Sequence, residues 1–318
     1  MGTATRVPQT HDMPEDELSA DEAMAALRRH GRLPLVRDSF VRFRYADGFS
    51  HARALALQIV LAVIPLAIAF VGLSTALHGE SLGRVAELTI RRLAAGPSEQ
   101  VVEDALARSR EHAGEGAQFA LWFGLLFAWV NLTTGMCQIE RGANRIYGIE
   151  RDRPFRQKYT RGLVMSVTAG APLGLATIAM VAGNDLGASA VAVWHVGGGT
   201  TLTVWNCVRW PAGVLLALAS ASVIFRGSPR RRQPGYTWLA FGAAVAIVLW
   251  AALTALLALY LRLSGSFDTV YGPLSAFMAL LLWSYLTSLA LFLGLSFAAQ
   301  LEAVRALRPG PVRSDPGA

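Results

Sequence analysis

The 318-residue chain is 53% hydrophobic and only 16% charged, with a mean hydropathy of +0.39. Soluble domains carry about 25% charged residues, so this composition indicates a protein that uses the lipid bilayer as its solvent. The net charge of +7 would suit a nucleic-acid-binding protein. Such proteins expose their cations on a polar surface, whereas the arginines here stand between apolar runs, so nucleic acid is not expected as a partner.

The first segment, residues 1–34, is predicted to be cytoplasmic and partly disordered. It holds no apolar core of about 7–15 residues and is therefore not a cleaved signal peptide. Ser19 and Glu22 form a capping box that predicts a helix over 20–30. The mixed aromatic and basic residues from there to Phe49 are typical of a helix lying in the membrane interface.

Six apolar stretches are long enough to cross a bilayer, which takes about 20 residues in a helix. Helices are required because lipid leaves an unpaired backbone group unsatisfied. The sequence therefore predicts an all-α, polytopic membrane protein whose spans cover about 54–77, 118–138, 162–183, 202–225, 237–261 and 273–299.

The loop between the first two spans, 78–117, is long and polar. Two stretches in it show helical spacing, and Gly96 and Pro97 separate them. A short extracytoplasmic helical hairpin is predicted here.

Arginine-rich and arginine-poor loops alternate along the chain. The positive-inside rule then predicts that both termini and the basic loops lie on the cytoplasmic side. Basic margins also attract anionic lipids. The candidates for contacting lipid headgroups lie in the loop after the second span, and they are Arg141, Arg145 and Arg153.

Arg209 lies about 10 Å below the outer edge of the fourth span, at 1.5 Å per residue. A cation at mid-helix costs about 2.5–3.5 kcal/mol, so a compensating contact is expected. Two interpretations stay open. Arg209 either reaches the interface or pairs with Asp185 or Asp268, or it contacts an anionic substrate inside a cavity.

Other residues in the spans invite similar alternatives. Asn131 and Gln58 either hydrogen-bond between helices or line a substrate path with Arg209. Pro65 interrupts the first span and produces either a static bend or a hinge. The small residues Gly170 and Gly174 in the third span predict a face that packs against a neighbouring helix.

No catalytic constellation stands out in the sequence. The six histidines are scattered, and no nucleotide-binding glycine pattern occurs. Glu140, Glu150 and Asp152 alternate with arginines and are interpreted as solvated ion pairs. The chain is therefore predicted to be a non-enzyme that needs no metal or cofactor.

Several segments resemble the YihY/BrkB family of bacterial inner-membrane proteins, once labelled ribonuclease BN. The matching residues run in the expected order over about 35–305 and leave 306–318 as a flexible tail. They are Ala56 to Pro65, Asn144 to Gly148, Pro154-Phe155, Arg209 to Pro211 and the closing block from Thr269 to Ala303.

Two positions depart from the family pattern. Ala62 stands where members often have Ser, and the closing block reads Gly294-Leu-Ser-Phe-Ala298 where they often have Gly-Ala-Glu. No carboxylate role can therefore be carried over to Ser296. These departures favour a diverged subgroup nearer the YhjD branch.

The resemblance implies a six-helix protein of the bacterial inner membrane with anionic lipids as partners. The leading functional prediction is transport or flipping of an anionic lipid or envelope precursor. A non-transporting envelope-integrity or scaffold protein is the alternative, and a membrane-bound ribonuclease is the third reading. The sequence does not indicate an oligomeric state.

Overall fold

The computed structural model describes residues 5–10, 20–76, 85, 115–181, 183–194, 198–264 and 274–314, and these are almost entirely helical. A π-helical turn, Ser166–Gly170, joins the helix Phe155–Met165 to the helix Ala171–Val181. Two short strands, β1 (Thr5–Arg6) and β2 (Arg313–Ser314), pair antiparallel. In chain order the helices are α1 (Ala20–His30), α2 (Arg32–Tyr45), α3 (Gly48–Ala76), α4 (Glu115–Ile146), α5 (Phe155–Met165), α6 (Ala171–Val181), α7 (Gly183–Trp194), α8 (Gly198–Gly227), α9 (Tyr236–Leu263) and α10 (Ser275–Arg305).

Four helical stretches in the described part of the chain are long and apolar enough to cross a membrane. They coincide with the last four predicted spans and run over Phe155–Met180, Gly199–Gly227, Tyr236–Leu263 and Phe277–Arg305. An all-α membrane architecture is thereby confirmed.

The first two predicted spans fall on α3 and α4, continuous helices of 29 and 32 residues, apart from residue 77, which lies outside the described residues. In α3, the apolar piece Gly48–Val63 is shorter than the four stretches above. Six crossings therefore remain a prediction. The hairpin predicted at 78–117 lies outside the described residues except for Val85 and the start of α4.

The outer face of α9 is apolar and exposed. Val248, Leu256, Leu259 and Leu263 present most of their side-chain surface to the surroundings. A continuous apolar face of this kind would be unfavourable in water but matches lipid chains. The face is consistent with a helix that lies in the bilayer.

The chain forms two compact units, of which the first comprises Met1–Val60, Thr133–Gly170 and Leu218–Ala318. Its central contact joins α9 to α10 through small residues. A Cβ on Gly242 would lie 2.7 Å from the Cβ of Ala298, and a Cβ on Gly294 would lie 2.6 Å from that of Ala246. Small residues four apart on both helices let the backbones approach closely, as in many membrane helix pairs.

Helix α2 packs against α10 in the same unit. The sequence predicts a helix lying in the membrane interface here, and the helix is present. However, Arg42 and Phe43 are fully buried, while Leu33, Phe40 and Tyr45 stay exposed. Helix α2 is therefore partly a core element.

The second unit comprises Leu61–Leu132 and Ala171–Ala217. Within it, α3 and α4 meet at Gly124, where an added Cβ would lie 2.6 Å from the carbonyl oxygen of Pro65. Helices α7 and α8 meet where Trp205 Nε1 donates to the carbonyl oxygen of Gly183 at 2.6 Å. The first contact relies on a glycine, whereas the second uses a main-chain carbonyl oxygen that any residue could supply.

The two terminal segments of the described chain meet each other. Thr5 pairs with Ser314, and Arg6 pairs with Arg313. The chain reverses after α10 because Leu307 adopts φ 57° and the amide of Arg308 reaches back to Ala303 at 2.9 Å, which is a Schellman-type end. The sequence does not predict these strands, because two residues are too few to show an alternating pattern. The boundaries at 34 and 305 stay predictions.

Candidate functional site

Most of the polar residues predicted inside the spans have partners within the protein. Thr134 donates its hydroxyl to the Gln58 side-chain oxygen at 2.9 Å, which links α4 to α3. Asn131 is 8% exposed and donates to the carbonyl oxygen of Phe127, one turn earlier in α4, at 2.8 Å. Gln58 therefore makes a hydrogen bond between two helices, whereas the bond from Asn131 to Phe127 stays within α4.

Arg209 lies in the first half of α8, over the start of α7. A Cβ on Gly183 would be 3.0 Å from Arg209 Nη1, so the guanidinium occupies the space that this glycine leaves. Its Cζ lies 5.7 Å from the ring centre of Trp210, within cation–π range. Arg209 Nε and Nη1 are buried and have no hydrogen-bond partner in the described residues.

Neither carboxylate that the sequence suggests as a partner is seen to pair with Arg209. No ion pair between Arg209 and Asp185 is found among the described residues, and Asp268 lies outside them. Pro65 is buried in a helix that continues on both sides of it. The hinge role of Pro65 and the substrate-path role of Arg209 stay predictions.

The basic loop after α4 is organised around Asp152. Its Oδ1 accepts a hydrogen bond from Asn144 Nδ2 at 2.9 Å, and its Oδ2 accepts from Lys158 Nζ at 3.1 Å and Arg141 Nε at 3.3 Å. The main chain of Asp152 accepts from Arg230 Nη1 at 2.9 Å. Asp152 thereby ties the end of α4 to α5 and to the loop after α8.

This carboxylate has a lowered pKa. Partial burial alone would raise it, but the hydrogen bonds from Asn144 and Lys158 and the charge of Lys158 outweigh burial. The amide of Arg230 also donates to Asn144 Oδ1 at 2.8 Å, which fixes the orientation of the Asn144 side chain.

The prediction that Glu140 belongs to a solvated ion pair is wrong. Its side chain is buried and lies 2.9 Å from Arg153 Nη1. Arg153 also donates to the carbonyl oxygens of Ser228 at 2.9 Å and Pro229 at 2.8 Å. The position of Glu140 on the inner face of α4, which the local charge pattern does not reveal, causes its burial.

The three headgroup candidates therefore differ. The side chain of Arg153 is 13% exposed and its donors are occupied by the protein, whereas that of Arg141 is 54% exposed. Arg145 is also exposed, in the last turn of α4. Arg141 and Arg145 retain the accessible charge that a headgroup contact requires.

A second, deeper cluster surrounds Glu302 near the end of α10, and sequence reasoning missed it. Glu302 Oε2 pairs with Arg231 Nη2 at 2.5 Å, and the two side chains are 2% and 3% exposed. Tyr147 donates its hydroxyl to Glu302 Oε1 at 3.3 Å. Arg231 also lies over the Tyr147 ring at 4.7 Å and donates to the hydroxyl of Thr10.

Arg42 completes this cluster from α2. Its Nη1 donates to the carbonyl oxygen of Ile146 at 3.3 Å, at the end of α4. Its Nε and Nη2 are buried and have no hydrogen-bond partner in the described residues. Burial lowers the pKa of Arg42 to about 10, so the guanidinium stays charged at neutral pH.

The residues from Asn144 to Gly148, which carry part of the family resemblance, connect the two clusters. Burial raises the pKa of Tyr147 well above its usual range, and the nearby Glu302 charge adds to the shift. Gly148 adopts φ +73°, and a Cβ there would lie 2.6 Å from the Gln9 amide nitrogen. The motif was visible in the sequence, but two of its partners, Glu302 and Arg230, are more than 80 residues away along the chain.

Within the described residues, no group of three or more His, Cys, Asp or Glu side chains could hold a metal ion. The arrangement can hold an anion by charge and by hydrogen-bond donation. The carboxylates present are already engaged with arginine or lysine.

Comparison with known proteins places the chain among membrane proteins. The family model described as Virulence factor BrkB matches residues 39–315. The ribonuclease-like protein YfkH of Bacillus subtilis is 23% identical over 269 residues, covering 82% of this chain and 93% of the relative. No solved structure matches the chain significantly.

Two further relatives are named UPF0761 membrane proteins. The protein of Azotobacter vinelandii is 26% identical over 281 residues and that of Xanthomonas campestris 28% over 290, each covering 88% of this chain. The chain spans about two thirds of their length, 66% and 64% respectively. The family match takes in the four apolar helical stretches and most of both polar clusters. This chain belongs to the BrkB family.

Proposed function

We propose that the chain carries an anionic lipid, or another anionic envelope precursor, across the bacterial inner membrane, with both termini in the cytoplasm. We further propose that the chain acts without catalysis, because moving a lipid across the membrane makes and breaks no covalent bond. Arg141 and Arg145 would attract the headgroup at the cytoplasmic surface, because exposed arginines near a membrane favour anionic lipids.

The observation that carries the proposal is Arg209. Two of its nitrogens are buried without a partner in the described residues, within an apolar helix. A buried cation without an anion is costly, so an anionic group that reaches it gains a charge-assisted contact. Such hydrogen bonds are worth about 1.5–3 kcal/mol.

The test is lipid translocation in proteoliposomes that contain the purified full chain. A fluorescent phosphatidylglycerol serves as the anionic substrate and a fluorescent phosphatidylcholine as the zwitterionic comparison. Arg209→Gln is expected to slow phosphatidylglycerol translocation about tenfold or more, following the energy above. Arg262→Gln, an exposed arginine in the last turn of α9, is the matched control and should behave like the wild type.

Two results would contradict the proposal. One is wild-type protein that leaves phosphatidylglycerol translocation at the level of empty vesicles. The other is an Arg209→Gln protein that remains abundant and as fast as the wild type.

A second candidate, a non-transporting scaffold, is favoured by the partnered polar residues in the spans. The bond between Thr134 and Gln58 and the contact of Thr133 with Ser166 at 3.4 Å consume groups that a substrate path would offer. A scaffold predicts no translocation in vesicles. It also predicts that substitutions at Gln58 lower the stability of the protein and have no other effect.

A further inference from the structure

A small cavity lies where the two terminal segments cross the end of α10. It measures about 20 Å³, which is room for about one water molecule or one oxygen of a larger group, and it opens partly to the surface. Its wall contains three arginines and one carboxylate: Arg42, Arg308, Arg313 and Glu302. The segment Pro8 to Thr10 closes one side.

Among the described residues that line this cavity, positive formal charge exceeds negative formal charge. Glu302 is the carboxylate of the lining, and Arg231 already pairs with it at 2.5 Å. Arg42 is fully buried and charged at neutral pH, yet its Nε and Nη2 meet no hydrogen-bond partner in the part of the chain that the structure describes. Two buried guanidinium groups, Arg42 and Arg231, thus share the single carboxylate of Glu302 within the described residues, so the cluster favours an added anion.

The charge of the lining suits a phosphate group, of which the cavity has room for one oxygen. Guanidinium groups bind phosphate oxygens with paired donors, and Arg42, which lines the cavity, has two nitrogens without a partner in the described residues. The remaining oxygens would lie at the mouth, where Arg308 and Arg313 line the wall. A neutral ligand would leave the charge of Arg42 uncompensated.

We propose that this cavity binds a phosphate group, carried either by free phosphate or by the headgroup of a phosphomonoester lipid. The site is built from α2, the end of α10 and both terminal segments, and it does not depend on the transport activity proposed above. Bound phosphate would link β1 and β2 to the helices through Arg42 and Arg313.

The test uses the purified full chain in detergent and measures thermal unfolding and calorimetric binding. Sodium phosphate is one probe, short-chain phosphatidic acid is the second, and sodium chloride at matched ionic strength is the reference. The wild type is expected to be stabilised by a phosphate-bearing probe beyond the effect of chloride. Arg42→Gln should weaken binding at least about tenfold, as expected for a charge-assisted bond.

A matched pair of exposed arginines guards against a folding defect in Arg42→Gln. Arg313 lines the cavity, whereas Arg6, its cross-strand partner, does not. Arg313→Gln is expected to weaken phosphate binding severalfold, and Arg6→Gln to leave it unchanged. If Arg42→Gln does not fold, this pair decides the matter.

Each outcome has a defined meaning. Binding of both probes supports a site for the phosphate group itself. Binding of phosphatidic acid alone assigns the site to lipid headgroups, and binding of inorganic phosphate alone assigns it to the free ion. Stabilisation equal to that by chloride, or binding that Arg42→Gln and Arg313→Gln leave intact, overturns the proposal and leaves the cavity to a water molecule.

Discussion

At the scale of single residues, Glu302 holds together groups that are far apart in the chain. It accepts from Tyr147 and pairs with Arg231 while being almost fully buried. Removing one partner of a buried ion pair leaves an uncompensated charge and costs about 3–5 kcal/mol. Without the charge of Glu302, both Arg231 and Arg42 would lose a nearby negative charge.

Glu302→Gln should therefore lower the unfolding temperature markedly, because the amide keeps the shape but loses the charge. Thermal unfolding in detergent measures the effect. Glu150→Gln, at an exposed position in the basic loop, is the control and should change little. The double variant Glu302→Gln, Arg231→Gln should recover part of the loss. Equal unfolding temperatures for Glu302→Gln and Glu150→Gln would refute this role.

Asp152 predicts a pH dependence of stability. Its pKa in the folded protein lies below the ordinary value of an aspartate, because Asn144 and Lys158 donate to it, so folding favours the charged form. The stabilisation is fully present above the unfolded pKa and is lost as the pH falls through the folded pKa. Asp152→Asn should thus unfold at a lower temperature than the wild type at pH 7, and the difference should shrink below about pH 4. A difference that is constant between pH 7 and pH 3 would contradict this account.

At the scale of helices, glycines determine which helices approach closely. A side chain at Gly124 would lie 2.6 Å from the Pro65 carbonyl oxygen and 2.8 Å from the Ala69 amide nitrogen. Both are backbone atoms of α3, which cannot move aside without moving the helix. Gly174 in α6, in contrast, has no atom within 4 Å of an added Cβ among the residues considered.

Gly124→Ala and Gly174→Ala form a matched pair. Alanine is favoured over glycine in a helix by about 1 kcal/mol, and Gly174→Ala should therefore be neutral or slightly stabilising. Gly124→Ala should lower the unfolding temperature, because overpacking costs about 1–3 kcal/mol. If Gly124→Ala proved as stable as Gly174→Ala, the close contact of α3 with α4 would be wrong.

These glycines also show how far the sequence could predict the fold. Long apolar stretches identify membrane helices because bulk hydropathy decides the matter locally. Gly170 and Gly174 are predicted to form a packing face, yet Gly174 has open space beside it among the described residues, and a close contact lies between Gly242 and Gly294. Which glycine meets a neighbour depends on helix arrangement, and the spacing of small residues does not contain that information.

The same limit applies to the candidate site. The run from Asn144 to Gly148 was recognisable as a motif, but the bond from Tyr147 to Glu302 joins residues 155 positions apart. Glu140 lies among arginines in the sequence, which predicts a solvated side chain. In the structure the side chain is buried and pairs with Arg153. Local charge patterns describe neighbours along the chain, and these contacts are made by neighbours in space.

At the scale of the whole molecule, the strand pair constrains the membrane topology. Because β1 and β2 are paired, both segments lie on one side of the membrane, and the number of crossings between them is even. Four and six crossings both satisfy this condition, and five does not. The state of α3 and α4 therefore decides between four and six.

Cysteine labelling distinguishes these two topologies. In a background with Cys137→Ala and Cys207→Ala, six crossings predict that a membrane-impermeant maleimide labels Ser98→Cys in intact cells. The exposed position Arg151→Cys should react only after the membrane is opened, since it follows α4 in the basic loop. Identical labelling of the two positions would exclude the six-span topology.

The pairing of Thr5 with Ser314 also brings the first and last described segments of this chain side by side. A short flexible linker could join these two segments covalently, and new termini could be cut in an existing surface loop. Closure would reduce the freedom of the unfolded chain more than that of the folded one. The circularised protein should accordingly resist heating and exoproteases better than the linear chain does.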